Sequence, residues 1–424
     1  MLLRFGVTNH RSLRDRQELS LVASTLDDSP TGLIECRHAP GNKLLPVLVI
    51  YGANASGKTN LVSAIRWMRS AVLYSHSRGE PDGAIGRAPF ALDPAFEGSP
   101  SHFEVDFALD DVRYHYGFEA TNTAFTAEWL FAFPNDRRQV LFERDGMKFR
   151  FGRHLKGRNQ IISELTRPNS LFLSAAAQNG HEELTKISKF FQTIATGELG
   201  EHELAQSLTD DGTMDARVIK FLKSAGTGVI DYRLKDGEVS ERDREFQDRL
   251  NRLLKGSIIQ FEFEGFGVGD EKSNHLQLAH QSVGGGPVYF ELQQESEGTK
   301  RLLKLLIPAF RVLDTGSVMV VDELDASLHT QACDLVVALF SSPATNPKGA
   351  QLIATTHDTN LLQSAHLRRD QVWLAEKDSG GATHFYPLTD FRTRKTDNLE
   401  RGYLEGRYGA IPFSGRASDI LATL

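Results

Sequence analysis

An apolar run from Leu44 to Tyr51 leads directly into Gly52-Ala-Asn-Ala-Ser-Gly57-Lys58-Thr59, and few short stretches restrict a fold so tightly. The run reads as a buried strand, and Asn60 to Met68 carries good helix formers, so a glycine-rich turn must join strand to helix. Backbone N–H groups of such a turn close around phosphate oxygens, and the helix N-terminus beyond it favours negative charge. In this arrangement Gly52, Asn54, Ser56 and Gly57 shape the cradle, and Asn60 stands just beyond it. Lys58 reaches the β- and γ-phosphates, and Thr59 offers its hydroxyl to Mg2+.

Two later strands end in the groups a phosphoryl-transfer site needs. Ser317-Val-Met-Val-Val-Asp322-Glu323 is an apolar strand closed by two carboxylates. Asp322 suits the Mg2+ shell, and Glu323 suits orienting or deprotonating an attacking water. Gln351-Leu-Ile-Ala-Thr-Thr-His357-Asp358 ends in a histidine able to donate to a γ-phosphate, although alone such a residue is more often an ordinary loop histidine. Between them Leu324-Asp325-Ala-Ser327-Leu328-His329 turns into another helix. Upstream, Glu295-Ser296-Glu297-Gly298-Thr299-Lys300-Arg301 precedes a helix-like Leu302 to Phe310, and taken singly Ser296 reads as its N-cap.

In this order the set strand–Gly-Lys-Thr, Ser-x-Gly-Thr, Asp-Glu-x-Asp and Thr-His resembles the ABC-type ATPases of the SMC, RecF and OLD-like branch. A narrower resemblance, to the RloA-type, AAA15-like phage-resistance ATP-binding proteins, adds Phe5-Gly-Val-Thr-Asn9-His-Arg-Ser12-Leu13 and Tyr403-Leu-Glu-Gly-Arg-Tyr-Gly-Ala-Ile-Pro412. It covers most of the chain and is weakest in the middle. The resemblance implies an α/β, ABC-type P-loop ATPase head: a mixed central sheet flanked by helices, an antiparallel β subdomain and an inserted, mainly helical subdomain. It also implies a head-to-tail homodimer, open to higher oligomers, with two ATP molecules at the interface. Ser296 and Gly298 of one subunit, with Thr299 beside them, would then face the γ-phosphate held by Lys58 of the other. Asp325 would communicate across the dimer.

Two departures limit the transfer. The glutamine that senses Mg2+ and water in such heads has no marked position, Gln139 being merely available, and long heptad arms are absent. No Asp-x-Asp pair follows His357, so the chain is not expected to cut nucleic acid itself. The expected role is an ATP-driven switch in anti-phage defence that controls a separately encoded effector such as a nuclease; the alternative is an ATPase that clamps DNA during repair. GTP is disfavoured because no Asn-Lys-x-Asp follows the phosphate loop, and the Ser-Glu-Gly-Thr signature and central insertion argue against a transporter subunit.

At 424 residues the chain exceeds one ordinary core. We expect an N-terminal lobe over 1–175, an inserted unit over 176–284 and a C-terminal lobe over 285–424. Within the insertion, 181–256 reads as largely helical, with Leu184, Ile187, Phe190 and Phe191 on one face and an alternating-charge helix from Ser240 to Leu254. Phe103 to Leu109 and Tyr114 to Phe118 form one expected hairpin, Ala127 to Phe133 and Gln139 to Phe142 another. Apolar stretches fall short of the ~20 residues that span a bilayer. With no secretory start and only Cys36 and Cys333, a cytoplasmic protein with unpaired thiols is expected. A net charge of −7 argues against a surface that binds nucleic acid throughout, leaving the basic stretch from Arg137 to Arg158 as the local candidate for DNA or RNA.

Overall fold

The computed structural model describes residues 1–26, 28, 32–196, 204, 213–238 and 272–411. In chain order, β1 (Leu2–Thr8), β2 (Gln17–Ser20), β3 (Ile34–Glu35), β4 (Lys43–Leu44) and β5 (Val47–Gly52) precede the helix Lys58–Tyr74. There follow β6 (Ser101–Leu109), β7 (Val112–Ala120), β8 (Phe125–Phe133), β9 (Gln139–Asp145) and β10 (Lys148–Phe151). After the helices Phe172–Gln178 and Glu182–Thr193 come β11 (Ala195–Thr196), β12 (Val229–Glu238), β13 (Lys272–Gln281) and β14 (Pro287–Glu291). The helix Glu297–Thr315 then leads to β15 (Val318–Val321), helix Thr330–Ser341, β16 (Gln351–Thr355), β17 (Val372–Lys377) and β18 (Thr383–Pro387).

The central sheet runs β11-β15-β16-β5-β17-β18, parallel except for the last pair. Its strands β5, β15 and β16 are buried on both faces, as parallel strands covered by helices must be. Leu48 and Ile50 of β5 point into one core, and Val47, Val49 and Tyr51 into the other. The apolar run from Leu44 to Tyr51 is two strands rather than one, because Pro46 brings no N–H to a ladder. The Pro46 carbonyl instead accepts the N–H of Leu352 at 2.8 Å.

A second sheet, β10-β9-β8-β7-β6-β1-β2, is antiparallel throughout. Both expected hairpins are present, and β1 and β2 join them, β1 pairing β6, while β3 and β4 pair with each other. Gln351 stitches the two sheets together like a stretch of backbone. Its Oε1 accepts the Leu2 N–H at 2.6 Å, and its Nε2 donates to the Leu2 carbonyl at 2.9 Å.

Helix Glu182–Thr193 buries Leu184, Ile187, Phe190 and Phe191, the face its periodicity predicts. It packs against the antiparallel sheet, with the Phe190 and Phe107 rings stacked at 4.2 Å. The rest of the central segment departs from expectation. Its described part contains the helix Ala216–Ser224, while β12 and β13 pair antiparallel and β14 completes a three-stranded sheet. Val229, Leu276 and Leu278 are buried against the core of the C-terminal half, and that cross-strand packing outweighs the helical reading of the polar sequence around them. The alternating-charge segment Ser240 to Leu254, most of the acidic stretch before it (Glu198, Glu201, Glu203, Asp210 and Asp211), and Phe261, Phe263 and Phe266 lie outside the described residues.

The basic stretch is also less available than its sequence implies. Arg144 is buried, donating to the carbonyls of Gly146, Ser170, Arg167 and Pro168, with Glu128 3.7 Å away. Glu128 is wholly buried too, accepting from the N–H groups of Phe172 (2.6 Å) and Leu173 (3.0 Å) and from the Tyr116 hydroxyl (3.0 Å). Arg150 is spent on Glu143.

Candidate functional site

β5 delivers its last residue to the C-terminal edge of the central sheet, between β16 and β17, and there the chain turns into helix Lys58–Tyr74. The turn needs glycine at its two ends. Gly57 sits at φ 102, and a Cβ there would come within 2.1 Å of the Thr383 hydroxyl. At Gly52 a Cβ would meet the Ala375 carbonyl at 2.4 Å. Asn54, Ala55 and Thr59 are exposed on the open side.

Lys58 is 6% exposed, and its Nζ donates to the carbonyls of Gly52 (2.7 Å) and Ala53 (3.1 Å), folding the side chain back over its own loop. Burial pushes its ammonium below the ordinary value, while Asp322, Asp325 and Glu323 act in the opposite sense. The Ser56 hydroxyl is buried with no hydrogen-bond partner. A cradle of backbone N–H groups, an orphaned hydroxyl and an ammonium held only by carbonyls fit a polyphosphate.

The loop is clasped from two distant parts of the chain. Thr383 Oγ1 donates to the Ser56 carbonyl at 2.8 Å and lies 2.7 Å from Ser12 Oγ. Asn60 Nδ2 donates to the same Ser12 hydroxyl at 2.6 Å. Ser12 itself stands in the turn Asn9-His-Arg-Ser-Leu13, where Asn9 and Arg11 take positive φ.

The acids follow β15. Asp322 Oδ1 accepts from the Thr355 hydroxyl at 2.5 Å, and the same hydroxyl accepts the Glu323 N–H at 2.7 Å. Glu323 is exposed and left-handed, at φ 50. Asp325 faces the third strand of the set: its Oδ1 accepts the Thr356 hydroxyl at 2.6 Å and the His357 N–H at 3.1 Å. Lys58, Asp322, Glu323, Asp325 and His357 are therefore brought to one edge by β5, β15 and β16, adjacent strands of one sheet. Among the described residues no cluster of three or more His, Cys, Asp and Glu is arranged to hold a metal ion. Mg2+ would have to share Thr59 and Asp322 with phosphate oxygens.

The signature segment stands apart. Ser296 caps helix Glu297–Thr315, its Oγ accepting the Thr299 N–H at 3.1 Å and lying 2.9 Å from the Thr299 hydroxyl. Gly298 lies against the turn after the acids, where a Cβ would stand 2.9 Å from the Ser327 carbonyl. None of the hydrogen bonds made by Ser296 or Thr299 reaches the phosphate loop. Gln139 opens β9 in the antiparallel sheet, opposite Ala132.

Sequence reasoning missed Thr355 and Thr383. Thr355 was discoverable, since a hydroxyl one strand from Asp322 is a natural partner for it. Thr383 had no signal, being 327 residues from the carbonyl it holds.

A parallel sheet with phosphate loop, acidic strand and histidine strand at one edge, beside an antiparallel sheet, defines a nucleotide-binding P-loop protein of the ABC-type ATPase class. The family described as "AAA domain, putative AbiEii toxin, Type IV TA system" matches residues 47–363, and the chain belongs to it. No curated protein matches the chain. Among solved structures, it is similar to the SMC head domain from Thermotoga maritima, with 14% identity, 91% of this chain and 98% of that one covered, and a TM-score of 0.38. The Smc head bound to the C-winged helix domain of ScpA shows 12% identity, coverage of 92% and 99%, and a TM-score of 0.40. The recombination mediator protein RecF-ATPrS shows 15% identity, coverage of 91% and 98%, and a TM-score of 0.29. Among the described residues no helix is long and apolar enough to cross a membrane.

Proposed function

We propose that this chain is an ATP-hydrolysing head-dimer switch of the RloA type, acting in the cytoplasm as the regulator of an anti-phage system with a separate effector. The observation that carries the dimer is the divided site. Lys58, Asp322, Glu323 and His357 share one sheet edge, while Ser296 turns its hydroxyl into its own helix cap and makes no bond to the phosphate loop. A second copy, facing the loop with Ser296 and Gly298, completes the γ-phosphate contacts.

In this reading Lys58 leaves the carbonyls of Gly52 and Ala53 for the β- and γ-phosphates, and the loop N–H groups take the remaining charge. Thr59 and Asp322 would hold Mg2+, which would supply positive charge to the phosphates. Glu323 orients the water and receives its proton, and Asp325 fixes the loop that carries His357. A DNA clamp finds less support, because Arg144, one of the basic residues that would serve it, is buried.

Mixing two inactive variants tests the divided site. Lys58→Ala and Ser296→Arg should each lose turnover alone. A heterodimer of the two combines both lesions in one site and leaves the other intact, so mixing should restore steady-state ATP hydrolysis. A mixture as inactive as its components would rule out the shared site. For the defence role, the neighbouring gene product should co-purify in an ATP-dependent way and more strongly with Glu323→Gln. Absence of any partner together with unchanged phage sensitivity would remove that role.

A further inference from the structure

Glu323 is held in a backbone conformation that a residue with a Cβ adopts only under constraint. At φ 50 the left-handed region is strained for a residue with a Cβ, and it persists only where the surroundings over-determine it. On one side the constraint is Thr355, whose hydroxyl accepts the Glu323 N–H and whose carbonyl accepts the Leu324 N–H at 2.8 Å. On the other side is a residue to which no chemistry has been given. Arg301 Nη2 donates to the carbonyl of Asp322 at 2.7 Å and to that of Glu323 at 3.0 Å. One cationic nitrogen thus grips the two consecutive carbonyls that define the turn.

Arg301 lies in the second turn of the helix that Ser296 caps. That helix makes a second contact with the same loop, where Gly298 lies against the Ser327 carbonyl. The segment expected to face one nucleotide is therefore fastened, within its own subunit, to the acids that serve the other.

We propose that Arg301 is a positioning residue for hydrolysis: it holds the left-handed turn that aims the Glu323 carboxylate, and it ties that aim to the placement of the signature helix. Charge-assisted bonds to carbonyls are stronger than neutral ones, which suits a clamp on a strained turn. Without the clamp the turn relaxes toward ordinary backbone and the carboxylate swings. A displacement of about 1 Å in a catalytic group can lower a rate by around 10²-fold. The phosphates are held by the loop after β5, so ATP binding depends on this turn only through Asp322 at the metal.

The proposal rests on the reading of Glu323 as the general base, and the test separates the two. Wild type, Arg301→Gln and Arg301→Lys are compared for kcat and KM with Mg2+-ATP, for ATP affinity by calorimetry, and for thermal unfolding. Arg301→Gln should lose 10-fold or more in kcat with ATP affinity within about twofold of wild type. Arg301→Lys keeps a cationic donor for one carbonyl and should recover part of the loss at similar stability. Wild-type kcat in Arg301→Gln overturns the proposal, as does a loss confined to ATP affinity. Equal loss in both variants with a matching fall in thermal stability also overturns it, since a merely structural arginine behaves that way. If Glu323→Gln hydrolyses ATP at the wild-type rate, the reading of the base has failed, not the clamp alone.

Discussion

Glu323→Gln is expected to lower ATP turnover by roughly 10²- to 10⁴-fold, the range for loss of a positioned general base. ATP binding should survive, because Lys58 and the loop N–H groups are untouched and the amide has nearly the shape of the acid. The backbone argument sharpens the expectation: the turn is held through the Asp322 and Glu323 carbonyls and the Glu323 N–H, not through the carboxylate, so the substitution leaves the local structure in place. With hydrolysis blocked and binding intact, closed dimers should accumulate. Steady-state hydrolysis together with mass measured by light scattering in ATP would show a slow enzyme that is dimeric where wild type is mixed. Turnover at the wild-type rate would remove Glu323 from the chemistry.

The second large effect lies far from the nucleotide. Glu128→Ala should lower the free energy of unfolding by about 3–5 kcal/mol, the range for breaking a buried charge pair by removing one partner. Three donors lose their acceptor together, the N–H groups of Phe172 and Leu173 and the Tyr116 hydroxyl, and the Arg144 guanidinium loses its counter-ion. Burial already pushes the Glu128 carboxyl above its ordinary value and the Arg144 guanidinium below, so the charged form of each depends on the other, while burial and Glu128 keep the Tyr116 hydroxyl neutral. The start of helix Phe172–Gln178 would also lose its acceptor. Urea unfolding followed by far-ultraviolet circular dichroism would measure the loss. A change below about 1 kcal/mol would mean that the remaining carbonyls satisfy Arg144 unaided.

What could be read beforehand divides by range along the chain. The phosphate loop, the acidic strand, the histidine strand and the helix cap at Ser296 each announce themselves within ten residues, because strand-to-turn and cap chemistry is local. Both hairpins and the apolar face of helix Glu182–Thr193 were legible for the same reason. Contacts made across the chain were not. Nothing in the neighbourhood of Gln351 says that it will stand in for backbone beside Leu2, and Arg144 reads as one more surface charge until Glu128 is placed against it. β12 was misread because a polar sequence with isolated apolar residues suits helix or strand until a neighbouring strand decides. The role of Arg301 depended on knowing the backbone of Glu323, which no side-chain pattern reports.

The clasp on the phosphate loop joins Ser12, Ser56 and Thr383, and this sets a clock on the nascent chain. Synthesis runs from the N-terminus, so the loop and its helix leave the ribosome hundreds of residues before the hydroxyl that locks them. A half-made head has its lysine but not its latch. Closure of the clasp is thus deferred until translation has reached β18.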